Sequence, residues 1–286
     1  MEHTQKSRLL IVDGHNLLFQ MFFGMPSRIR NREGRSVQGV IGFIGAVRKL
    51  LSLVEPSHVL VLFDAPTHNE RCDIFESYKA NRPDYSLVCD DENPFTQLPD
   101  IYRALDALGI CHTECEGCEA DDVIASYALS LRDECEVVIS SYDSDFFQLI
   151  GENVRVLRYR GDCSVLCDEE YVRCRYGIPP SLYAHHKALV GDTADNIPGI
   201  QGIGPKTAAR LLLEFGSLDA LLTHKNEASP SRIRDALTNQ QDELLRNLRL
   251  IELSKSAPLP FSLDALAYAK FSFATTELLR EVGTLP

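Results

Sequence analysis

Two aspartates one residue apart, Asp143 and Asp145, interrupt the otherwise apolar stretch VVISSYDSDFFQLI, Val137 to Ile150. Two more apolar runs stop in the same way: LLIV, Leu9 to Val12, before Asp13, and VLVLF, Val59 to Phe63, before Asp64. GCEADDV adds Glu119, Asp121 and Asp122, and LVGDTADNIPGIQGIGPKTAARLL adds Asp192 and Asp195 ahead of a glycine-rich turn. Carboxylates held together repel, by about 4 kcal/mol for a pair 4 Å apart at an effective dielectric near 20. Hard divalent cations reverse that sign. Magnesium takes oxygen ligands and suits such a pocket better than zinc, which prefers nitrogen and sulfur. Two such ions about 4 Å apart clamp the attacking and leaving oxygens of a phosphoryl displacement. Phosphodiester hydrolysis is therefore the leading chemistry. The bland alternative is that each aspartate caps a helix or fixes a turn, and that acids in the first turn of a helix complement its dipole. Three independent caps are less economical than one shared site.

The elements that must position these acids follow from patterning. Continuous rather than alternating apolar runs mark strands buried on both faces, as in a parallel sheet covered by helices. Between the first two runs, VQGVIGFIGAVRKLLSLV, Val37 to Val54, is apolar at helical spacing and closes before Pro56; a second helix is expected from Ala120 to Leu131. This βαβ arrangement covers roughly the first 175 residues as an α/β domain. In such sheets ligands gather beyond the carboxyl ends of the strands, where the three runs end in aspartate.

The second half carries a different signal. GIQGIGPKTAARLL places Gly199, Gly202 and Gly204 before Lys206, Thr207 and an apolar helix. Glycines let a backbone approach phosphate oxygens, and a helix N-terminus offers free amides. The spacing is neither a dinucleotide fingerprint nor a Walker loop. It resembles the hairpin of helix-hairpin-helix modules, which grip a duplex backbone without reading bases; a plain helix connector is the alternative. A third stretch, FESYKANRPDYSLVCDDENPF, brings Tyr78, Lys79 and Arg82 into a long irregular segment. That segment is either a solvated loop or a gate whose cations meet phosphate and whose tyrosine stacks on a base.

The 286 residues are 44% hydrophobic, enough for a large core and a smaller companion. A net charge of −12 argues against a polyanion partner. With the nine carboxylates named above drawn into one cation-binding cluster, however, the remaining surface is nearly balanced. No apolar run approaches the roughly 20 residues that span a bilayer, and the N-terminus has no signal-peptide pattern, so the cytoplasm is expected. Nine cysteines, an odd number, read as reduced thiols. Cys111, Cys115 and Cys118 supply three thiols without a fourth ligand for structural zinc. His185 and His186 read as surface or packing residues of a helix, and His15 and Asn16 as turn residues after the first aspartate.

In their order, IVDGHNLLF, LFDAPTHNERCDIFESYKANRP, GCEADDVIA, SSYDSDFFQLI and LVGDTADNIPGIQGIGPKTAARLL closely resemble the bacterial 5′-to-3′ exonuclease and flap endonuclease family, the module at the N-terminus of DNA polymerase I. The match runs from about Leu9 to Leu222. It implies a PIN-like (resolvase-like) α/β fold over residues 1–175, a central mostly parallel sheet with helices on both faces and a helical arch at about 78–98. An all-α region over 176–286 would follow, with a helix-two-turn-helix element at about 185–222.

By the same resemblance, a first metal site comprises Asp13, Asp64, Glu119, Asp121 and Asp143, a second comprises Asp145, Asp192 and Asp195, and Asp122 joins the cluster. Asp13, Asp64, Asp143 and Asp145 are then catalytic through two or more Mg2+ ions, which Mn2+ can replace. Tyr78, Lys79 and Arg82 lie at the base of the arch, where Lys79 and Arg82 stabilise charge on the scissile phosphate. Gly202, Gly204, Lys206 and Thr207 hold duplex DNA, and the carbonyls of Ile200 and Ile203 are candidates for a potassium ion. The implied function is structure-specific 5′ nuclease action at flaps, nicks and 5′ ends, including RNA-primed ends, in primer removal, replication and repair, by a monomer with no membrane association. Two departures stand out. Ser144 takes the middle place of an Asp-Lys-Asp usual in the family, which removes a basic side chain and points to altered affinity rather than lost chemistry. No polymerase module follows Leu222, only further helical pattern, which suggests a stand-alone nuclease. A DNA-binding relative without turnover and a PIN-type RNase are the competing readings.

Overall fold

The structure, a computed structural model, describes residues 7–25, 28–66, 70–269, 274–281 and 283–284. Its centre is a six-stranded sheet in the order β3-β2-β1-β4-β5-β6. The strands are β1 (Arg8–Asp13), β2 (His58–Asp64), β3 (Cys111–Cys115), β4 (Glu136–Ser140), β5 (Val154–Arg158) and β6 (Val165–Cys167). All neighbours run parallel except β6, which pairs antiparallel with β5. The chain steps outward from β1 to β2 and β3, then returns to the other side of β1 for β4. The crevice beyond the carboxyl ends of β1 and β4 is therefore the switch point at which α/β sheets bind ligands.

Alternate residues of each buried strand serve opposite faces. Leu9 and Ile11 join Leu60, Leu62, Val137 and Ile139 in a core with α5 (Ala120–Leu131). Leu10 and Val12 face the other way, with Val61 and Phe63, onto α1 (Gly14–Gly24), α2 (Gln38–Val54) and α4 (Leu98–Ala107). Each such fully buried aliphatic side chain contributes ~1.5–3 kcal/mol of transfer free energy. Glycine is required directly after Asp13: a Cβ on Gly14 would lie 2.8 Å from the Leu62 carbonyl oxygen and against the Phe63 ring. α2 ends on Glu55 in the left-handed conformation (φ 47°), just before Pro56.

After β2 come the short α3 (Glu70–Ile74) and an irregular stretch, residues 75–97. Beyond β6 lie α6 (Glu169–Tyr176) and α7 (Tyr183–Val190), then a two-stranded turn, β7 (Gly191–Asp192) with β8 (Ile197–Pro198). α8 (Pro205–Phe215), α9 (Leu218–Thr223), α10 (Ser231–Asn239) and α11 (Gln241–Ile251) follow around a third apolar core. The region expected to be all-α thus contains one small β turn, forced where the backbones of Gly191 and Gly199 abut.

After α11 the chain returns to the α/β body. Ser254 N–H donates to Asp122 at 2.7 Å, Tyr127 exchanges two 2.8 Å hydrogen bonds with Phe261, and Tyr268 N–H donates to the Ser57 carbonyl at 2.8 Å. The last helix, α12 (Thr275–Glu281), packs on α2 and α4. All nine cysteines are free thiols. Among the described residues no helix is long and apolar enough to cross a membrane.

Candidate metal centre

Three strand ends deliver the acids. Asp13 closes β1 and caps α1, accepting from Asn16 N–H at 3.1 Å, while Ser141 Oγ donates to its other oxygen at 2.7 Å. Ser141 Oγ in turn accepts from Asp143 N–H at 3.0 Å, and Asp143 accepts from Asp145 N–H at 2.8 Å. A single hydrogen-bonded chain therefore fixes Asp13, Asp143 and Asp145 relative to one another. Asp64 closes β2 and accepts from Ala120 N–H at 2.8 Å, which docks the start of α5, and its neighbour Asp121, onto the same crevice. His15 Nδ1 stands 3.5 Å from Asp64.

The electrostatics record this crowding. Burial lifts Asp13 to about 6, against hydrogen bonds from Ser141 and Asn16 and with help from Asp64 and Asp143. Burial, reinforced by Asp143, Asp13 and Asp64, lifts Asp121 well above the carboxylate range. At Asp64 burial acts in the same direction, but His15, the Ala120 amide and Lys79 outweigh it and hold the carboxyl low.

Asp145, Asp192 and Asp195 form a second group, with one oxygen of each within 4.8 Å of the others. Asp192 lies in β7 and Asp195 in the turn before β8. Lys187, from α7, reaches into this group and pairs with both Asp145 and Asp192. Its pKa is raised: burial disfavours the charge, but Asp145, Asp192 and Asp143 overcome that. Burial also lifts Asp145 to about 7 in spite of Lys187. The carboxylate oxygens of Asp145, Asp192 and Asp195 stand at chelating distance, a donor set that fits hard divalent cations, while Asp13, Asp64, Asp121 and Asp143 lie near enough to act on one another electrostatically.

Several expected residues are placed otherwise. Asp122, one helical step of about 100° from Asp121, turns away from the crevice. Arg71 grips it with hydrogen bonds of 2.8 and 3.0 Å, and it also accepts from Ser254 N–H. Glu119 is held by Arg71, by Lys79 Nζ at 2.5 Å and by the Tyr78 hydroxyl at 3.4 Å. Its oxygens thus face cations of the chain itself. Tyr78 is 4% exposed and belongs to the helical core, so its ring is not presented to a base.

Lys79 adopts φ +55°, an unusual backbone for lysine, pinned by its N–H bond to the Asp195 carbonyl at 3.0 Å. Arg82 meets the Asp195 carboxylate at 2.9 Å. The segment expected as a helical arch contains turns and two single-turn 3-10 helices, Tyr85–Leu87 and Pro94–Gln97. Pro83 and Pro94 interrupt it. Its far end folds onto α1, with Phe95 edge-on to His15 and Phe19 at 5.2 and 5.4 Å.

In the glycine hairpin, Gly202 (φ +86°) and Gly204 are exposed with open space where a side chain would project. Lys206 is exposed and Thr207 half-buried in the first turn of α8. Ile200 and Ile203 are buried, and the Ile200 carbonyl accepts Ile203 N–H at 3.0 Å. One of the two carbonyls suggested for potassium therefore already closes the turn. His186 packs inside, with Nε2 3.1 Å from the Pro205 carbonyl oxygen. Cys111, from the suggested zinc trio, donates to the Ala265 carbonyl at 3.1 Å.

Lys187, Ser141 and Arg71 are the site residues the sequence reading missed. Ser141 had a signal, a hydroxyl immediately after a buried strand. Lys187 had a weaker one, a lone cation within HHKALV, five residues before Asp192.

Comparisons with known proteins bear on the fold and the family. A family model described as "5'-3' exonuclease, N-terminal resolvase-like domain" matches residues 8–177, and one described as "5'-3' exonuclease, C-terminal SAM fold" matches residues 178–274. The thermostable DNA polymerase I of Thermus thermophilus is 36% identical over 259 residues, 90% of this chain and 30% of the polymerase. DNA polymerase I of Bacillus subtilis is 34% identical over 272 residues, 94% of this chain and 30% of its own length. The chain thus spans about 30% of the length of these relatives. Among solved structures, T5 5′-exonuclease with bound zinc superposes with a TM-score of 0.71 at 24% identity, covering 86% of this chain and 89% of that one. That likeness concerns the fold.

Proposed function

The chain belongs to the 5′-3′ exonuclease family, and from that premise we propose that it is a divalent-metal-dependent 5′ nuclease acting on DNA flaps, nicks and 5′ ends, including RNA-primed ones. Replication and repair in the cytoplasm, by a monomer, are the setting this reading gives it. The observation that carries it is the convergence of Asp13, Asp64, Asp121 and Asp143 beyond the carboxyl ends of β1 and β4, with burial and mutual repulsion raising Asp13 and Asp121.

Asp13, Asp64, Asp121 and Asp143 would hold one Mg2+ or Mn2+ ion, and Asp145, Asp192 and Asp195 flank a second cation position. Glu119 and Asp122 would act behind the ligands, Glu119 by orienting Lys79 and Asp122 by anchoring Arg71. A bound divalent ion supplies an acidified water and neutralises charge on the phosphate. The protein's own groups do the rest. The Asp13–Ser141–Asp143–Asp145 chain keeps the carboxylates in register, and Lys79 and Arg82, at the edge of the crevice, counter the charge that builds on the phosphoryl oxygens. Gly202, Gly204 and the first-turn amides at Lys206 and Thr207 suit a duplex phosphate, which holds the DNA without reading bases. A potassium ion there would share the Ile200 carbonyl with the Ile203 amide and take the Ile203 carbonyl as a further donor.

The test is a 5′-labelled flap substrate with Mg2+, comparing the chain with Asp143→Asn. Cleavage near the branch by the first and not the second is expected. No cleavage by the unaltered chain with either Mg2+ or Mn2+ overturns the proposal.

A further inference from the structure

The chain leaves β3 through Cys115-Glu116-Gly117-Cys118 and enters α5 almost at once. Two cysteines in C-x-x-C spacing, between a strand and a helix of an α/β domain, are the pattern of a dithiol–disulfide couple. Both stand as reduced thiols, and they lie to one side of the chain. Cys115 is 5% exposed in the core beneath α5, and half-buried Cys118 packs against that same core. The backbone bends at Gly117, whose φ of +76° is the left-handed conformation. Cys118 Sγ leans back over the bend, 4.0 Å from the Glu116 carbonyl oxygen. The pair is near enough that Cys118 adds to the rise in pKa that burial gives the Cys115 thiol. A Cβ on Gly117 would meet nothing within 4 Å, so the bend can tighten without collision.

This short span is tied to the acid crevice at both ends. The Cys115 carbonyl accepts Ala65 N–H at 3.3 Å, and Ala120, just past Cys118, donates its N–H to Asp64 at 2.8 Å. Between these anchors Glu119 holds Lys79 Nζ at 2.5 Å and also meets Arg71. A covalent bond across the bend would tighten the span and draw Glu119 away from the two cations it orients.

Building on the nuclease reading, we propose that Cys115 and Cys118 form a reversible disulfide that withdraws Glu119 from Lys79 and slows cleavage. The oxidant is a peroxide. Cys118, the more accessible sulfur, takes one oxygen from hydrogen peroxide to become a sulfenic acid, and water is released. Cys115 then attacks that sulfur: the S–S bond forms, the S–O bond breaks, and the hydroxyl leaves with the Cys115 proton as a second water. In all, two electrons pass from the thiols to the peroxide. A dithiol reductant reopens the bond by exchange. Transient disulfides of this kind suit a chain whose other cysteines are also reduced.

The experiment treats the reduced full chain with hydrogen peroxide, alkylates the remaining thiols, and digests with a glutamyl endopeptidase. Cuts at Glu114, Glu116 and Glu119 separate Cys115 from Cys118, and both from Cys111, unless a disulfide joins them. Mass spectrometry should find the Cys115 and Cys118 peptides joined after peroxide and apart after dithiothreitol. Flap cleavage by the oxidised chain should fall at least ~10-fold and return with dithiothreitol, while Cys118→Ser keeps its rate through the same treatment. Absence of the joined peptide overturns the proposal, and so does a joined peptide with unchanged cleavage or an equal loss in Cys118→Ser. Should Cys118→Ser fail to fold, as judged by circular dichroism, the joined peptide and the recovery of the unaltered chain decide alone. The joined peptide is read without turnover, so a chain that forms it yet cleaves no flap even when reduced would sink the nuclease reading and leave the disulfide standing.

Discussion

Arg71 and Asp122 meet fork to fork beneath the first turn of α5, with hydrogen bonds of 2.8 and 3.0 Å and both side chains largely buried. The same guanidinium reaches Glu119, and the same carboxylate receives the Ser254 amide. The pair therefore ties the floor of the metal centre to the segment that returns from α11. Replacing Arg71 by methionine would leave buried Asp122 without its cation and strip Glu119 of one of its partners. The expected loss is about 3–5 kcal/mol, read as a lowered urea midpoint with the denaturant slope unchanged.

The crowded acids make divalent ions a stabiliser of the fold. At 100 times its dissociation constant, Mg2+ or Mn2+ should add about 2.7 kcal/mol, seen as a rise in melting temperature over protein in EDTA. Asp143→Asn, which removes a carboxylate that both Asp13 and Asp121 feel, should abolish most of the metal-induced rise. An equal rise in the variant would place the ion elsewhere.

Lys79 is held over the crevice by its backbone bond to Asp195 and its contact with Glu119. In single-turnover cleavage, Lys79→Ala should lower the rate by roughly 10²–10³ while duplex affinity stays near that of the parent. A loss confined to affinity would assign Lys79 to binding alone.

Lys206 is exposed beside the open backbone of Gly202 and Gly204. If it contacts one phosphate, Lys206→Ala should weaken duplex binding equally for all sequences. It should also reduce the slope of log affinity against log salt by about 0.9, measured by fluorescence anisotropy at several salt concentrations.

His186 gives the helical region a dependence on acid. Burial lowers its pKa in the folded chain, partly offset by the Pro205 carbonyl. As pH falls below the ordinary 6.5, the unfolded chain takes up the proton first. Stability present above that value is therefore lost as pH drops through the folded pKa. The melting temperature of the parent minus that of His186→Gln should therefore fall from pH 7.5 to pH 5.

What the sequence disclosed and what it concealed follow one physical division. The aspartates at the ends of β1, β2 and the run containing β4 were legible because continuous apolar strands and their termini are local features. The helix from Ala120 to Leu131 was legible for the same reason. β3 was not: CHTEC is an edge strand of mixed polarity. Asp121 and Asp122 look equivalent in a sequence, yet a helix sends neighbours about 100° apart, and only one can face the crevice. Tyr78 reads as a stacking residue until tertiary packing buries it. Ser144 suggested a missing cation, but the structure brings one from α7, through a pairing between Asp145 and Lys187 that spans 42 residues and leaves no periodic trace.

That same helix has a second engagement. α7 is eight residues, about 12 Å, and from it Lys187 enters the acid pocket while its end, at Val190, runs into the glycine clasp where the hairpin begins. It behaves as a short beam resting on two supports. A tilt of α7 at the hairpin would move the ammonium at the other support, which couples the geometry of the glycine turn to the charge of the acid pocket.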